Sequence, residues 1–508
     1  MHGAMVMRQR RGRRFDSGPR WTRLAGVVVA GIALLAACTP PPEPFVHFPG
    51  PAGVSPVVPA EPDAVGPIRI RGRQMIDREG RNVLLHGMNL VMKSAPYYPQ
   101  LGVDLTDADF DNLRDHGLNA VRLGVWYREL LPSPGVINDD YLDHVETVVE
   151  ALAAHHVWVL LDFHQDVFTG MPDWATTPEA AALSDQPPEI AQAIGWAGAY
   201  LSPRSLRQWD DLWADKPTAV DPTRTIFSAL AEGAAAMANR FKGNPLVMGM
   251  ELMNEPFAGS QILDCLTHGC GALEATMATR WQTMTDTIHA VAPDFNVFWS
   301  PQAMAPHYAD TALSAPAMPS DGSERNVGLS FHTYCYGTDG GSLTPASDLD
   351  RGRCQAMFNA SLSRGDGVAA SWGVPMMLTE FGGSENPLDA TLATRSTDLY
   401  RMSWFYWHMR DHQPEEVETQ LTRVAPQATA GDPLSLHFDP ATGAFEYRYR
   451  PDASASGPTT IVVPARPYPS GYAVAVSGGA VTSAPNAGML TVVADPGATE
   501  VTVVVSRV

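Results

Sequence analysis

Two glutamates stand in short polar motifs that follow apolar runs. Glu255 lies within an Asn-Glu-Pro triplet, and Glu380 begins a Glu-Phe-Gly triplet. Cleavage of a glycosidic bond needs one carboxylic acid that protonates the leaving oxygen and one carboxylate that attacks the anomeric carbon, about 5–5.5 Å apart in the retaining mode. Either glutamate alone could be a salt-bridged carboxylate at a strand end. As a pair, they predict Glu255 as the acid/base and Glu380 as the nucleophile.

Other chemically capable side chains lie at the ends of similar runs. Arg122 sits in the apolar segment NAVRLGVW, where burial is costly without a carboxylate partner. We therefore expect Arg122 to hold Glu380 ionised. The amide of Asn254 could donate a hydrogen bond to a sugar hydroxyl in the transition state. His164, His332 and Trp407 could belong to the same site or be ordinary core residues.

Eight apolar runs between residues 68 and 413 alternate with amphipathic segments, which predicts parallel strands covered by helices. Eight such repeats favour an α/β fold, a (β/α)₈ TIM barrel, whose site forms at the C-terminal ends of its strands. An open doubly wound sheet is the alternative, but no glycine-rich phosphate motif follows the first strand. The predicted strands are Val83–Leu90, Asn119–Val125, Val157–His164, Val247–Glu255, Asn296–Pro301, Val327–Tyr334, Pro375–Gly382 and Trp404–His408.

Taken together and in strand order, these motifs resemble glycoside hydrolase family five of the larger retaining clan A. The resemblance covers about residues 68–413. It implies Glu255 as acid/base and Glu380 as nucleophile, with Arg122 and Tyr334 as partners of the nucleophile. It also implies that further side chains shape the subsite for the sugar before the cleaved bond: His164, Asn254, His332 and Trp407.

Within that family the details look most like endoglycoceramidases. The markers are Gly87-Met88-Asn89, Lys93, Pro96-Tyr97 and the run Leu161–Asp166. The resemblance implies Lys93 and Asp166 as additional sugar contacts. Those enzymes release an oligosaccharide from ceramide, and close relatives act on glucosylceramide or steryl glucosides. We therefore expect cleavage between glucose and a lipid. The alternatives are an endo-β-glucanase of the same clan and a non-catalytic surface lipoprotein that binds glycans.

An insertion of about residues 167–222, after the third strand, is rich in apolar side chains. It could form a groove for acyl chains at the mouth of the barrel. Alternatively, most of these residues bury the insertion's own helices. The side chains concerned are Phe168, Met171, Trp174, Ile190, Ile194, Trp196, Tyr200, Leu201, Trp209 and Trp213.

The two ends of the chain predict an export signal and a second domain. Residues 1–38 have a basic start, an apolar run and a lipobox-like end at Cys38, so an envelope-anchored lipoprotein is expected; an ordinary signal peptide of a secreted protein is the alternative. Residues 39–67 are a proline-rich linker. Residues 414–508 show short β-rich segments separated by turn residues and predict a C-terminal β-sandwich domain.

Composition limits the partners. Asp and Glu number 55 against 35 Lys and Arg, a net charge of −20, which argues against nucleic acid as a partner. A glycolipid or oligosaccharide substrate, a monomeric chain, and no metal or other cofactor are expected. Four cysteines besides Cys38 suggest two disulfides in an exported chain. Cys265 with Cys270 and Cys335 with Cys354 is the local pairing among three possible connectivities.

Overall fold

The computed structural model describes most of the chain after the linker. The predicted export signal and Cys38 lie outside the described residues, as does most of the linker. No helix among the described residues is long and apolar enough to cross a membrane. All described residues belong to one compact unit, residues 44–508. They are residues 53–58, 66–192, 195–303, 311–317, 324–335, 348–383, 386–409 and 413–508.

Eight parallel strands close into a barrel, so the predicted (β/α)₈ fold is confirmed. Three short strands precede it: β1 (Arg69–Arg71), β2 (Gln74–Ile76) and β3 (Asn82–Val83). The barrel strands are almost wholly buried, as expected for a parallel sheet covered by helices. In chain order they are β4 (His86–Leu90), β5 (Ala120–Val125), β6 (Trp158–Phe163), β7 (Val247–Glu251), β8 (Val297–Trp299), β9 (Val327–His332), β10 (Met376–Gly382) and β11 (Ser403–Trp407).

Helices lie in most of the connections between the barrel strands, and none is found among the described residues between β8 and β9. The amphipathic segment recognised in the sequence forms α3, which begins where the Asn138 side chain accepts a hydrogen bond from Tyr141 N. Its apolar face is buried as predicted. The helices are α1 (Asp107–Asp115), α2 (Tyr127–Leu130), α3 (Asp139–Ala154), α4 (Pro178–Ala181), α5 (Glu189–Gln192), α6 (Pro203–Trp213), α7 (Ile226–Phe241), α8 (Ile262–His268), α9 (Gly271–Val291), α10 (Asp348–Trp372), α11 (Pro387–Tyr400) and α12 (Glu415–Leu421).

The C-terminal residues form two antiparallel sheets around a separate apolar core, in agreement with the predicted sandwich. One sheet has the order β13-β14-β19-β16, and the other contains β12-β15-β18-β17. These strands are β12 (Ala425–Thr429), β13 (Gly431–Asp439), β14 (Ala444–Pro451), β15 (Thr459–Val462), β16 (Tyr472–Ser477), β17 (Gly479–Val481), β18 (Met489–Ala494) and β19 (Val501–Arg507).

The first predicted barrel strand, Val83–Leu90, is in fact divided between two sheets. Val83 pairs with Ala428, so β1, β2 and β3 extend the second C-terminal sheet. Leu84 packs in the sandwich core and Leu85 in a core at the barrel end. A continuous apolar run fits both environments, which is why its pattern could not reveal the division.

The insertion after the third strand packs into the same apolar core as the helices around the barrel. Tryptophans 209 and 213 stack with ring centroids 6.0 Å apart, and Phe168 meets Trp209 edge to face. Their burial in this core favours the alternative in which these residues bury the helices of the insertion. The structure does not describe the side chains of Ile190, Ile194 and Trp196. Leu201 is partly buried. Those that are buried are Phe168, Met171, Trp174, Tyr200, Trp209 and Trp213.

The four described cysteines form two disulfides. Cys265 is joined to Cys270 and Cys335 to Cys354, which confirms the local pairing among the three connectivities. Both bridges lie in segments that follow barrel strands, the first beyond β7 and the second beyond β9. They therefore fasten segments on the rim that carries the polar residues.

Candidate active site

Glu255 and Glu380 meet at the C-terminal rim of the barrel. Glu380 lies on β10, and Glu255 follows β7, three strands away around the barrel. His332, at the end of β9, stands between them, with Nδ1 2.9 Å from Glu255 Oε1 and 3.4 Å from Glu380 Oε2. One carboxyl oxygen of each glutamate and a ring nitrogen of His332 all lie within 4.8 Å of one another. This separation suits the retaining mode of glycosidic cleavage.

Two donors fix the carboxylate of Glu380. Arg122 Nη1 donates to Oε1 at 2.7 Å, and the Tyr334 hydroxyl donates to Oε2 at 2.6 Å. Charge-assisted hydrogen bonds of this kind stabilise a negative charge and set the plane of the carboxylate. The sequence-predicted partners of Glu380 are thus both in contact with it, and the carboxylate is oriented toward the space beside Glu255.

Arg122 is the centre of a buried polar network. Its side chain is fully buried, and Nη1 also donates to Asn89 Oδ1 at 2.8 Å. Nε donates to Glu251, and Nη2 lies 2.9 Å from Asp162 Oδ1. Burial by itself lowers the pKa of Arg122, but the surrounding carboxylates outweigh it and raise that pKa above its usual value. Arg122 is therefore a permanent cation beside the site.

Asn89, Asp162 and Glu251 are functional residues that the sequence reasoning did not assign. All three are fully buried. Glu251 also accepts a hydrogen bond of 2.7 Å from Thr379 Oγ1, next to Glu380 in the chain. The signal that could have revealed them is Arg122 itself, because a buried guanidinium has five N–H donors and one carboxylate cannot satisfy them all.

Glu255 has a different environment from Glu380. Its side chain is about a quarter exposed, at 23%, whereas that of Glu380 is 5% exposed. Asn254 accepts from Arg122 Nη2 at 2.9 Å and donates through Nδ2 to Gln165 O at 2.9 Å. An amide nitrogen carries two hydrogens, so one remains for a sugar hydroxyl, the contact expected from the sequence.

The remaining predicted residues form a second cluster on the same rim. Lys93 Nζ lies 2.7 Å from Asp166 Oδ2 and 4.5 Å above the ring of Trp407. The His164 ring is nearly parallel to the Trp407 ring, with centroids 5.6 Å apart. An aromatic face beside fixed charges is suited to binding one face and the hydroxyls of a sugar ring. All ten sequence-predicted residues are thus on this rim.

His164 is held between two carboxylates. Nδ1 is 2.7 Å from Asp162 Oδ2, and Nε2 is 3.6 Å from Asp166 Oδ2. Burial alone lowers the pKa of His164, but Asp162 and Asp166 outweigh it and raise the pKa to about 9. Asp166 is buried too, yet its contacts with His164 and Lys93 lower its pKa. His164 is therefore a cation at neutral pH.

The charge on His164 predicts a pH-dependent contribution to stability. Because the pKa of His164 in the folded state lies above the ordinary histidine value of 6.5, the stabilisation is complete below pH 6.5 and is lost as the pH rises through about 9. The stability advantage of the wild type over His164→Asn should therefore be on the order of 2–3 kcal/mol larger at pH 6 than at pH 10. Urea unfolding of both proteins at the two pH values measures it. An advantage that does not change with pH would contradict the charged state.

Glu255, His332 and Glu380 are close enough to hold a metal ion by distance alone. Both oxygens of Glu380 already accept hydrogen bonds, however, and His332 Nδ1 is directed at Glu255. The two carboxylates raise the pKa of His332 against the lowering effect of its burial, which favours a protonated ring over a metal ligand. The arrangement fits acid–base and nucleophilic chemistry.

Comparison with known proteins decides the family. The model of the cellulase family, glycosyl hydrolase family 5, matches residues 76–413, and that of the glycoside hydrolase family 5 C-terminal domain matches residues 423–505. The chain belongs to glycosyl hydrolase family 5. It is therefore a glycoside hydrolase, and the fold and motifs of both parts agree with this assignment.

Individual relatives in this family share most of the chain. Endoglycoceramidase I of Rhodococcus hoagii is 39% identical over 448 residues, covering 86% of this chain and 87% of that one. Endo-glycoceramidase II from a Rhodococcus species has been solved as a ganglioside GM3 complex and as a lactosyl-enzyme intermediate. Both structures are 26% identical and cover 85% of this chain and 98% of that one, with TM-scores of 0.71 and 0.70.

Proposed function

We propose that this chain hydrolyses the β-glycosidic bond between glucose and a lipid aglycone, with retention of anomeric configuration. The proposal depends mainly on one observation, that the two neighbouring carboxylates differ in burial and in hydrogen-bond partners. Glu380 is buried and receives hydrogen bonds from Arg122 and Tyr334, while Glu255 is partly exposed beside His332. The glycolipid substrate is supported by the 39% identity with an endoglycoceramidase over most of both chains.

The first step of the proposed reaction forms a covalent intermediate. A carboxylate oxygen of Glu380 attacks the anomeric carbon while the carboxylic acid of Glu255 gives its proton to the glycosidic oxygen. The bond from the anomeric carbon to that oxygen breaks, and the lipid leaves as an alcohol. Arg122 and Tyr334 hold the attacking carboxylate in place, which lowers the entropic contribution to the activation barrier.

The second step releases the sugar. Glu255, now a carboxylate, takes a proton from water as the water oxygen attacks the anomeric carbon, and the bond to Glu380 breaks. Two inversions at the same carbon give net retention. His332 Nδ1, 2.9 Å from Glu255 and 3.4 Å from Glu380, is placed to donate to whichever carboxylate carries the charge.

The second cluster is proposed as the subsite for the sugar before the cleaved bond. Trp407 offers a ring face, and Lys93 and Asp166 offer a fixed donor and acceptor at its edge. His164 stacks against the Trp407 ring, and Asn254 is hydrogen-bonded to Arg122. These contacts accelerate the reaction where they become stronger in the transition state, in which the sugar ring is distorted.

A second candidate is an endo-β-glucanase, because the barrel matches the cellulase family model. Both activities would use the same two glutamates, and they differ in the group that leaves. A lipid aglycone needs an apolar surface after the cleaved bond, whereas a polysaccharide needs further sugar subsites in an open cleft. Substrate tests can separate them.

A matched panel of substrates provides the test. Purified protein is incubated with gangliosides, glucosylceramide, steryl glucoside and cellulose oligomers, and the products are followed by chromatography. We expect release of sugar from at least one glycolipid at a higher kcat/KM than from the oligomer of similar length, with the β-anomer of the product appearing first by proton NMR. Activity confined to cellulose would reject the lipid assignment, and initial α-product would reject retention.

We also propose that the protein is exported and anchored at the cell envelope. The support is the sequence of residues 1–38, with its basic start, apolar run and Cys38. The proline-rich residues 39–67 would then act as a tether between the lipid on Cys38 and the enzyme. This location agrees with the two disulfides, which persist in oxidising compartments.

A further inference from the structure

Gln165 connects two segments of the rim from a fully buried position. Its Nε2 donates to two consecutive carbonyl oxygens, Asn254 O at 2.7 Å and Glu255 O at 2.9 Å. Its Oε1 accepts from Phe168 N at 2.9 Å. Its backbone oxygen accepts from Asn254 Nδ2 at 2.9 Å. One side chain thus satisfies polar backbone groups on both the third and fourth barrel connections.

The segment that Gln165 holds has an unfavourable backbone conformation. Glu255 has a φ of +41°, in the left-handed region that costs a non-glycine residue about 1–3 kcal/mol unless its surroundings enforce it. Strand β7 ends at Glu251, so the regular ladder stops before Glu255 is reached. The two hydrogen bonds from Gln165 act on the peptide units on either side of the Glu255 Cα, and they set the direction in which its carboxyl points.

The other end of the same side chain holds the loop that carries Asp166. Val167 and Phe168 have φ values of +55° and +90°, which are unusual for a β-branched and a bulky residue. Phe168 N is tied to Gln165 Oε1 in this turn. The amide therefore fixes the acid/base segment and the sugar-binding loop relative to each other.

We infer that Gln165 is a positioning residue for the acid/base, a role that rests on the proposed function of Glu255. Because Gln165 is fully buried, it acts through the backbone of Glu255. Its loss should weaken the proton transfers of Glu255 in both steps and leave the position and charge of the Glu380 carboxylate unchanged. A residue that merely stabilised the fold would not affect these proton transfers selectively.

Leaving groups of different basicity provide the discriminating measurement. Departure of 2,4-dinitrophenol needs little protonation, whereas departure of phenol depends on the general acid. In Gln165→Met we expect kcat/KM for the phenyl β-glycoside to fall about 100-fold, with a much smaller loss for the dinitrophenyl β-glycoside. Both substrates carry the same glycan, namely that of the glycolipid that the protein hydrolyses in the substrate panel.

Azide gives an independent readout of the second step. Azide attacks the anomeric carbon of the ester with Glu380 and releases the carboxylate, forming a β-glycosyl azide without any proton transfer. We expect added azide to raise kcat on the dinitrophenyl substrate in Gln165→Met and in the benchmark Glu255→Ala, but not in the wild type. Gln208→Met is the matched control, because Gln208 donates to Thr176 within the insertion.

The outcomes separate the inference from the proposed function. If Glu255→Ala lacks the leaving-group and azide effects, Glu255 is not the acid/base and the proposed function fails. If Glu255→Ala shows them and Gln165→Met does not, or loses activity equally on both substrates, the inference is wrong. If Gln165→Met does not fold, Gln165→Glu is used, since its carboxyl group keeps the oxygen that accepts from Phe168 N but has at most one hydrogen to donate to the two carbonyl oxygens. The inference requires the leaving-group effect and the azide effect from Gln165→Glu as well.

Discussion

Replacing Glu380 by glutamine is expected to reduce kcat on the best glycolipid on the order of 10⁴- to 10⁶-fold, the range seen when a nucleophile is removed from an enzyme that uses one. Glutamine keeps the volume of the side chain and can still contact Arg122 and Tyr334, so the fold should persist. The amide has no negative charge with which to attack the anomeric carbon. Initial rates with concentrated enzyme measure the loss.

A trapping experiment identifies the nucleophile directly. A 2-deoxy-2-fluoro glycosyl fluoride should add one glycosyl mass to the wild type, on the peptide that contains Glu380, and add none to Glu380→Gln. Glu274→Gln is the matched control, because Glu274 is also buried but lies on α9, where it accepts a hydrogen bond from Thr311 Oγ1. Labelling of Glu380→Gln, or wild-type rates from it, would show that the attacking carboxylate lies elsewhere.

The site could be predicted from the sequence because all strands of a parallel barrel end on one rim. Once Glu255 and Glu380 were placed after two different strands, their meeting followed from the fold. The same reasoning placed His332, Tyr334 and Trp407 nearby. The family resemblance added Lys93 and Asp166, whose contact with each other no spacing or periodicity indicates.

The contacts inside the barrel could not be predicted in the same way. Arg122 suggested one carboxylate partner, but the structure supplies three. The two additional ones, Asp162 and Glu251, lie at the C-terminal ends of β6 and β7 and look like ordinary strand residues in the sequence. The apolar run at Val83 likewise fits two sheets equally well. Ion-pair partners and sheet membership depend on which residues become neighbours in the folded protein. The hydrophobic pattern of the sequence shows only how burial repeats along the chain.

Replacing Arg122 by methionine is expected to reduce both the stability of the fold and the activity. It would leave Asp162, Glu251 and Glu380 buried around an apolar side chain, and removal of one partner from a buried ion pair costs about 3–5 kcal/mol. It would also release the carboxylate of Glu380 from its fixed orientation. Urea unfolding measures the loss of stability, and kcat/KM measured at a temperature where the variant is folded should fall about 10²- to 10³-fold.

Arg423 offers a control that separates the two effects. It is buried as well, but it pairs with Asp398 and lies over the Phe438 ring of the sandwich. Arg423→Met should lose stability and keep its kcat/KM, because no contact within the described part of the chain joins Arg423 to Glu255 or Glu380. Arg122→Lys should recover part of the stability, since it restores a positive charge, but little activity, since an ammonium cannot reproduce the planar set of contacts to Asn89, Asn254 and Glu380. Equal losses of activity in the two methionine variants would mean that Arg122 contributes only to folding.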